Sequence, residues 1–224
     1  MADTKMTDTS FTPALGRAGF TRAYDHAIRL LTREQTWRRT MLRQVDPAAG
    51  ETIIDVGCGT GSFAIMMKRA VPEAKIIAID PDPQVLEIAA DKAKQVGAVI
   101  DWRQGFARDA AAIAGCVDKA VSSLVFHQVP LDGKREGVAA MFAAVRPGGE
   151  VHIADYARQR SQLMRMLFRL TVQMVDGVTD TQPNADGALE KILASHDAAA
   201  AIPKTEISTL TGAISLFHGT KVAA

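Results

Sequence analysis

The sequence predicts an α/β domain whose sheet is mostly parallel, carries helices on both faces and ends in an antiparallel hairpin. Three observations carry that expectation. Short apolar runs alternate with helical patterns roughly every 20–30 residues, which calls for right-handed crossovers between parallel strands. A glycine-rich turn, Gly57-Cys58-Gly59-Thr60-Gly61, follows the first apolar run directly. Near the C-terminus two strand-like stretches flank Thr211-Gly212, the pattern of a hairpin.

Taken in order, residues 1–20 are expected to be disordered or extended, with one domain over 21–224. A helical pattern runs from 21 to about 45 through Tyr24, Ile28, Leu31, Trp37, Met41 and Leu42. Asp46-Pro47 stops it, because the residue before proline is pushed out of the helical region. Strands are expected at 52–56, 75–80, 99–104, 119–124 and 150–155. Helices fit between them at 62–70, 83–96, 108–114 and 134–145, the last closed by Arg146-Pro147-Gly148-Gly149. After Tyr156 the alternation ends. Residues 158–175 form one long amphipathic segment, 177–187 are polar and turn-rich, and 188–199 read as helix. Residues 207–210 and 213–217 are the hairpin strands.

Composition narrows the function. Apolar residues are 47% and charged residues 23%, an ordinary globular balance. With 26 basic and 25 acidic residues the net charge is +1, so no field favours a polyanion, and nucleic acid is disfavoured as a partner. Cys58 and Cys116 have no histidine or cysteine at metal-ligand spacing and make no disulfide framework, so no metal is expected. Residues 1–10 lack the apolar core of a signal segment, and no stretch approaches the roughly 20 apolar residues of a membrane span. A cytoplasmic location is the expectation.

The glycine turn is the informative feature. Glycines straight after a strand let the backbone turn sharply and approach a ligand closely. Dinucleotide sites use G-x-G-x-x-G, and here the third glycine comes one residue early, with Ser62 in its place. Asp55 stands two residues before the first glycine, where it would repel a phosphate but suit a cationic amine. The amino-acid part of S-adenosylmethionine supplies such an amine. Asp80 ends the second strand 19 residues after Gly61, where a carboxylate can accept hydrogen bonds from both ribose hydroxyls.

Asp55 to Gly61, then Asp80, then Arg146-Pro147-Gly148-Gly149 together resemble the successive motifs of class I S-adenosylmethionine-dependent methyltransferases. The likeness covers about residues 20–155. It is nearest the branch with the ubiquinone/menaquinone C-methyltransferases and the bacterial phosphatidylethanolamine N-methyltransferases, whose aromatic-acidic pair Tyr24-Asp25 is similar to. The resemblance implies a Rossmann-like, seven-stranded sheet. It gives Asp55, Gly57, Cys58, Gly59 and Gly61 to the methionine part of the cofactor, Asp80 and Pro81 to the ribose, and Asp82 with Pro83 to the side of the adenine. Tyr24 would close over the cofactor. In the family a polar residue after the third strand meets the adenine. The matching triplet here is Gly105-Phe106-Ala107, so the Ala107 N–H would serve while Phe106 packs on the ring. Ser123 matches a cofactor-contacting position at the end of the fourth strand.

Methyl transfer from a sulfonium needs alignment of nucleophile and methyl and, for some acceptors, removal of a proton. Reactive groups lie beyond the carboxyl ends of the strands, which singles out Leu124-Val125-Phe126-His127-Gln128, with His127 the candidate base. His152 reads as core or cofactor-adjacent; His26, His196 and His218 read as surface or hairpin residues. Leu163, Leu167, Leu170 and Met174 share a helical face opposite Arg158, Arg165 and Arg169. Residues 157–190 are therefore read as a substrate-lid insertion, with a core-packed or homodimer helix and a membrane-surface helix over 158–175 as alternatives. A small, partly apolar molecule is the expected acceptor. The competing functions are a non-catalytic cofactor-binding subunit or sensor, and a nicotinamide-dependent oxidoreductase.

Overall fold

In the computed structural model, which describes residues 32–222, seven strands form one sheet in the order β3-β2-β1-β4-β5-β7-β6. The strands are β1 (Thr52–Val56), β2 (Lys75–Asp80), β3 (Asp101–Gln104), β4 (Val117–Ser123), β5 (Val145–Tyr156), β6 (Thr205–Thr209) and β7 (Gly212–Thr220). The first five pair in parallel, whereas β7 runs antiparallel to β5 and β6 antiparallel to β7. This is the mixed sheet expected from the alternation and the terminal hairpin.

Both faces are covered, which explains why β1 and β2 carry consecutive apolar residues, Ile53-Ile54 and Ile76 to Ile79, rather than an alternation. On one face, α4 (Leu131–Ala144) and α8 (Ala188–Ala194) bury Val138, Met141, Leu189 and Leu193 with Ile54, Val56, Ile153 and Phe217. On the other, α1 (Glu34–Val45) and α2 (Ser62–Ala70) bury Trp37, Met41, Phe63 and Met67 with Ile53, Ile76, Val121 and Leu216. Neighbouring residues of one strand thus serve opposite layers. The α3 helix (Pro83–Gln95) starts at an N-cap, Asp82, whose side chain accepts the Gln84 N–H at 2.9 Å, with Pro83 at the first helical position.

Several sequence expectations are corrected. The first helix is described only from Glu34, and Arg33 before it is left-handed at φ 51°, so no continuous helix crosses residue 33. Asp46 leaves the right-handed region as expected before proline, but into the left-handed one (φ 42°). The 108–114 helix is a 3₁₀ turn over Ala107–Ile113. Arg146-Pro147-Gly148-Gly149 is part of β5 rather than a turn before it.

The largest differences follow Tyr156. The single segment over 158–175 is two helices, α5 (Gln162–Leu170) and α6 (Val172–Asp176), broken at Thr171, whose hydroxyl bonds back to the Leu167 carbonyl at 2.6 Å. The stretch 177–187, expected as loop, holds α7 (Val178–Ala185) despite Pro183 within it. Contacts override composition there: Thr181, Asn184 and Ala185 are buried, and the Asn184 amide donates to the Tyr156 carbonyl at 2.7 Å. The tract 188–199 ends as helix at Ala194, and a 3₁₀ turn follows at Ala198–Ala201. Among the described residues no helix is long and apolar enough to cross a membrane.

Candidate functional site

A cavity of about 390 Å³ opens at the carboxyl ends of β1, β2 and β4, where ligands collect in open α/β sheets. Its floor is the glycine turn. Gly57, Gly59 and Gly61 have φ of 71°, 51° and 72°, which side-chain-bearing residues rarely adopt. They differ in what surrounds them. A Cβ on Gly57 would stand 2.4 Å from a Val125 methyl, and one on Gly61 would stand 2.5 Å from the Trp102 ring. A Cβ on Gly59 would meet nothing within 4 Å. The first and third glycines admit protein, and the middle one faces open space in the cavity.

Asp80 holds this turn in place. One carboxylate oxygen accepts the Gly59 N–H at 2.8 Å and the other the Asp82 N–H at 3.0 Å. Burial raises its pKa, while the two N–H donors pull it back. Each oxygen keeps a lone pair for a further donor.

Asp55 lies beneath the turn, fully buried, and does not line the cavity. Among the described residues no side chain donates to its oxygens, and the Ala64 backbone N–H is at most a weak partner. Burial pushes its pKa up to about 7; the Arg38 charge and the Ala64 N–H oppose the rise and Asp80 adds to it. A buried, poorly partnered carboxylate is costly and is rarely left so without a function.

Gly57, Cys58, Gly59, Asp80, Pro81, Phe106, Ala107 and Ser123, all expected at a cofactor site, line the same cavity. Gly61 and Asp82 lie just behind it, as the first residue before α2 and the N-cap of α3. Tyr24 and His26 lie outside the described residues. Arg38, Arg108, Gln128, Asp132 and Glu136 also line the cavity and were not singled out as cofactor ligands. Arg108 sits over the Phe106 ring at 4.7 Å. No motif marks these residues, since they reach the cavity from helices and turns whose placement depends on the whole sheet.

His127 is elsewhere. It lies in a 3₁₀ turn, Phe126–Gln128, and does not line the cavity. Its Nδ1 is 2.7 Å from Asp155 and its Nε2 is 3.4 Å from Asp176 at the end of α6. Burial pulls its pKa down, but the two carboxylates outweigh it and raise it to about 9. Asp155 also accepts the N–H groups of Val125 (3.0 Å), Phe126 (2.6 Å) and Tyr156 (2.7 Å). The segment after β4 is thereby fixed, although Leu124 within it takes a positive φ of 56°. Lys134, overlooked in the sequence, is fully buried; it donates to the carbonyls of Phe126, Val129 (2.5 Å) and Asp180 (2.8 Å). Burial lowers its pKa to about 8.

The other histidines divide. His152 is core, as one of its two readings held, but it is not beside the cofactor cavity: it contacts Gln44 of α1, Glu150 and His218. His218 belongs to the hairpin, and His196 stacks on Phe142. On α5 the expected stripe does not face the cavity. Phe168 turns inward, and Leu163 and Leu170 are more than half exposed.

Residues 53–149 match the family model described as a methyltransferase domain. Over this stretch the chain resembles methyltransferase domains, and over a longer one it resembles the ubiquinone/menaquinone methyltransferases. A demethylmenaquinone methyltransferase of Deinococcus radiodurans is 28% identical over 154 residues, covering 68% of this chain and 63% of that protein. The chain therefore spans under two thirds of that relative. A ubiquinone/menaquinone biosynthesis C-methyltransferase of Bdellovibrio bacteriovorus is 25% identical over 199 residues, covering 82% and 84%. The solved magnesium protoporphyrin IX methyltransferase of Synechocystis, with bound S-adenosylhomocysteine, superposes with TM-score 0.64 at 17% identity, covering 92% and 90%, and shares the fold.

Proposed function

We propose that the protein transfers a methyl group from S-adenosylmethionine to a small, partly apolar acceptor. The observation that carries this reading is the open space at Gly59 above Asp55, a fully buried carboxylate with no side-chain donor among the described residues. A ligand with close-lying backbone contacts and a cationic amine suits both features, whereas a pyrophosphate suits the open glycine but is repelled by the carboxylate. S-adenosylmethionine supplies, when bound, a methyl group already activated by a sulfonium.

The chain's own residues then bind and orient. The glycine turn holds the amino-acid end, with Asp55 beneath it as a counter-charge, and Asp80 accepts from the ribose through its remaining lone pairs. Phe106 and Ala107 flank the adenine, with Ser123 at the back. Leu124, Val125, Val129 and Pro130 form an apolar wall, against which a ring can lie away from water. The quinone named for the Deinococcus relative is of that chemical kind. His127, held between two carboxylates and protonated at neutral pH, acts as a positioning residue for the segment after β4.

Calorimetry with S-adenosylhomocysteine and with NAD tests the reading. The first should bind and the second should not, and Asp80→Ala should weaken binding by about 1.5–3 kcal/mol, the range for hydrogen bonds to a charged group. Labelled methyl donor should then pass label to a quinone-type acceptor. Binding of NAD in place of S-adenosylhomocysteine would overturn the proposal.

A further inference from the structure

At the opposite end of the sheet from the cofactor cavity, Glu150, His152 and His218 meet on the face covered by α1. His152 and His218 are directly opposed across the β5–β7 pair, so both project to that face, and Glu150 lies two residues before His152. Their donor atoms all lie within 4.8 Å of one another. Glu150 Oε2 is 3.1 Å from His152 Nε2, and Oε1 is 3.7 Å from His218 Nε2. The rings are nearly parallel, 9° apart, with centroids 4.8 Å apart. The His218 Nε2 atom is buried and has no hydrogen-bond partner.

From this geometry we infer a site for a first-row divalent cation of the zinc type, held by His152 Nε2, His218 Nε2 and the Glu150 carboxylate, with a fourth position for water. Two imidazoles and one carboxylate make a donor set suited to such ions. A tetrahedral ion with bonds of about 2.1 Å wants its donors roughly 3.4 Å apart. The two Glu–His separations already bracket that value, and the partly exposed His218 ring has to rotate out of its stack on His152 and bring its Nε2 in by up to about 1.4 Å. The outer shell needs one rearrangement. Gln44 from α1 lies 3.3 Å from His152 Nδ1, and with its amide turned over its oxygen accepts the Nδ1 proton that frees Nε2 for the ion. That turn gives up the Gln44 bond to the Phe217 carbonyl. Lys119, whose charge acts on both Glu150 and His152, is paired with Glu51 at 3.0 Å and the Asp46 carbonyl at 2.9 Å. Nothing here touches the cofactor cavity; a bound ion would clasp the C-terminal hairpin to β5 and α1.

The test is titration of the chelator-treated full chain with Zn²⁺ alone, in a Cys116→Ser background that removes the exposed thiol. Stoichiometry should be one ion per chain. Gln44→Ala should weaken binding by about 10–100-fold, and His218→Ala or Glu150→Gln by more than that. Both of the latter positions are partly exposed, so the variants should fold, and S-adenosylhomocysteine affinity in each reports whether they have. Co²⁺ should give the d–d absorption of a tetrahedral site, lost in His218→Ala. Zinc affinity unchanged in the folded His218→Ala and Glu150→Gln variants, or no saturable binding, would overturn the inference. Its failure leaves the methyltransferase reading untouched.

Discussion

The two sides of the cofactor cavity are made by different means. On the β1–β2 side the shape comes from the main chain: three glycines with positive φ turn the chain within five residues, and one carboxylate, Asp80, ties that turn to the next strand. On the β4–β5 side the shape comes from long-range polar contacts. Asp155 reaches back some 30 residues to fix Val125 and Phe126, and the Lys134 ammonium joins the Phe126 turn to Asp180 of α7. The first side is local and rigid by conformation. The second stands only while its buried ions stay paired, which makes it the more fragile and the more easily linked to α6 and α7.

The sharpest way to break the comparison is at Asp155. Asp155→Ala leaves His127 beside one carboxylate and orphans three N–H groups, and should cost about 3–5 kcal/mol, read as a shift in the denaturant midpoint. A loss under about 1 kcal/mol would mean that this side does not depend on its buried ions.

Next come two glycines on the other side. Gly57→Val forces a positive φ and a clash with Val125, and should lower stability by about 2–5 kcal/mol. Gly59→Val meets no protein atom, so it should cost only about 1–2 kcal/mol for its conformation yet abolish cofactor binding measured by calorimetry. Equal effects of the two on stability would remove the distinction between a glycine that admits protein and one that admits ligand.

Asp55 gives a smaller, pH-dependent effect. Its folded pKa, about 7, is raised above the unfolded value, so burying it is least costly below pH 4 and the cost grows as pH rises through 7. A cationic amine favours the ionised form. Affinity for S-adenosylhomocysteine should therefore rise with pH up to about 7 and then level, and Asp55→Asn should flatten the profile. His127 has the same direction of shift from the opposite cause. Its contribution to stability is complete below pH 6.5 and is lost as pH rises through about 9.

The smallest structural effect belongs to α5. Leu170→Gln, at a position 58% exposed, should change stability by no more than about 0.5 kcal/mol. If α5 nonetheless closes over the acceptor during turnover, kcat should fall while cofactor affinity holds. Unchanged turnover would remove α5 from catalysis.

The order of strands and helices through β5, the closing hairpin and most of the cavity floor were legible in the residues themselves. Alternating apolar runs fix a period, and glycines with an acidic residue at each flank fix a turn and what it can bind; both are local properties, written within a few positions of the chain. The environment of each ionisable group was not legible. Asp55 was expected to face the ligand and is instead buried beneath the turn, and His127 was expected as a base and sits outside the cavity, bound to Asp155 and Asp176. Lys134 gave no signal at all, and α7 formed where polar composition argued for loop. A side chain's protonation state and direction depend on desolvation and on partners tens of residues away. Those quantities exist only once the sheet has brought β4, β5 and the helices after Tyr156 together.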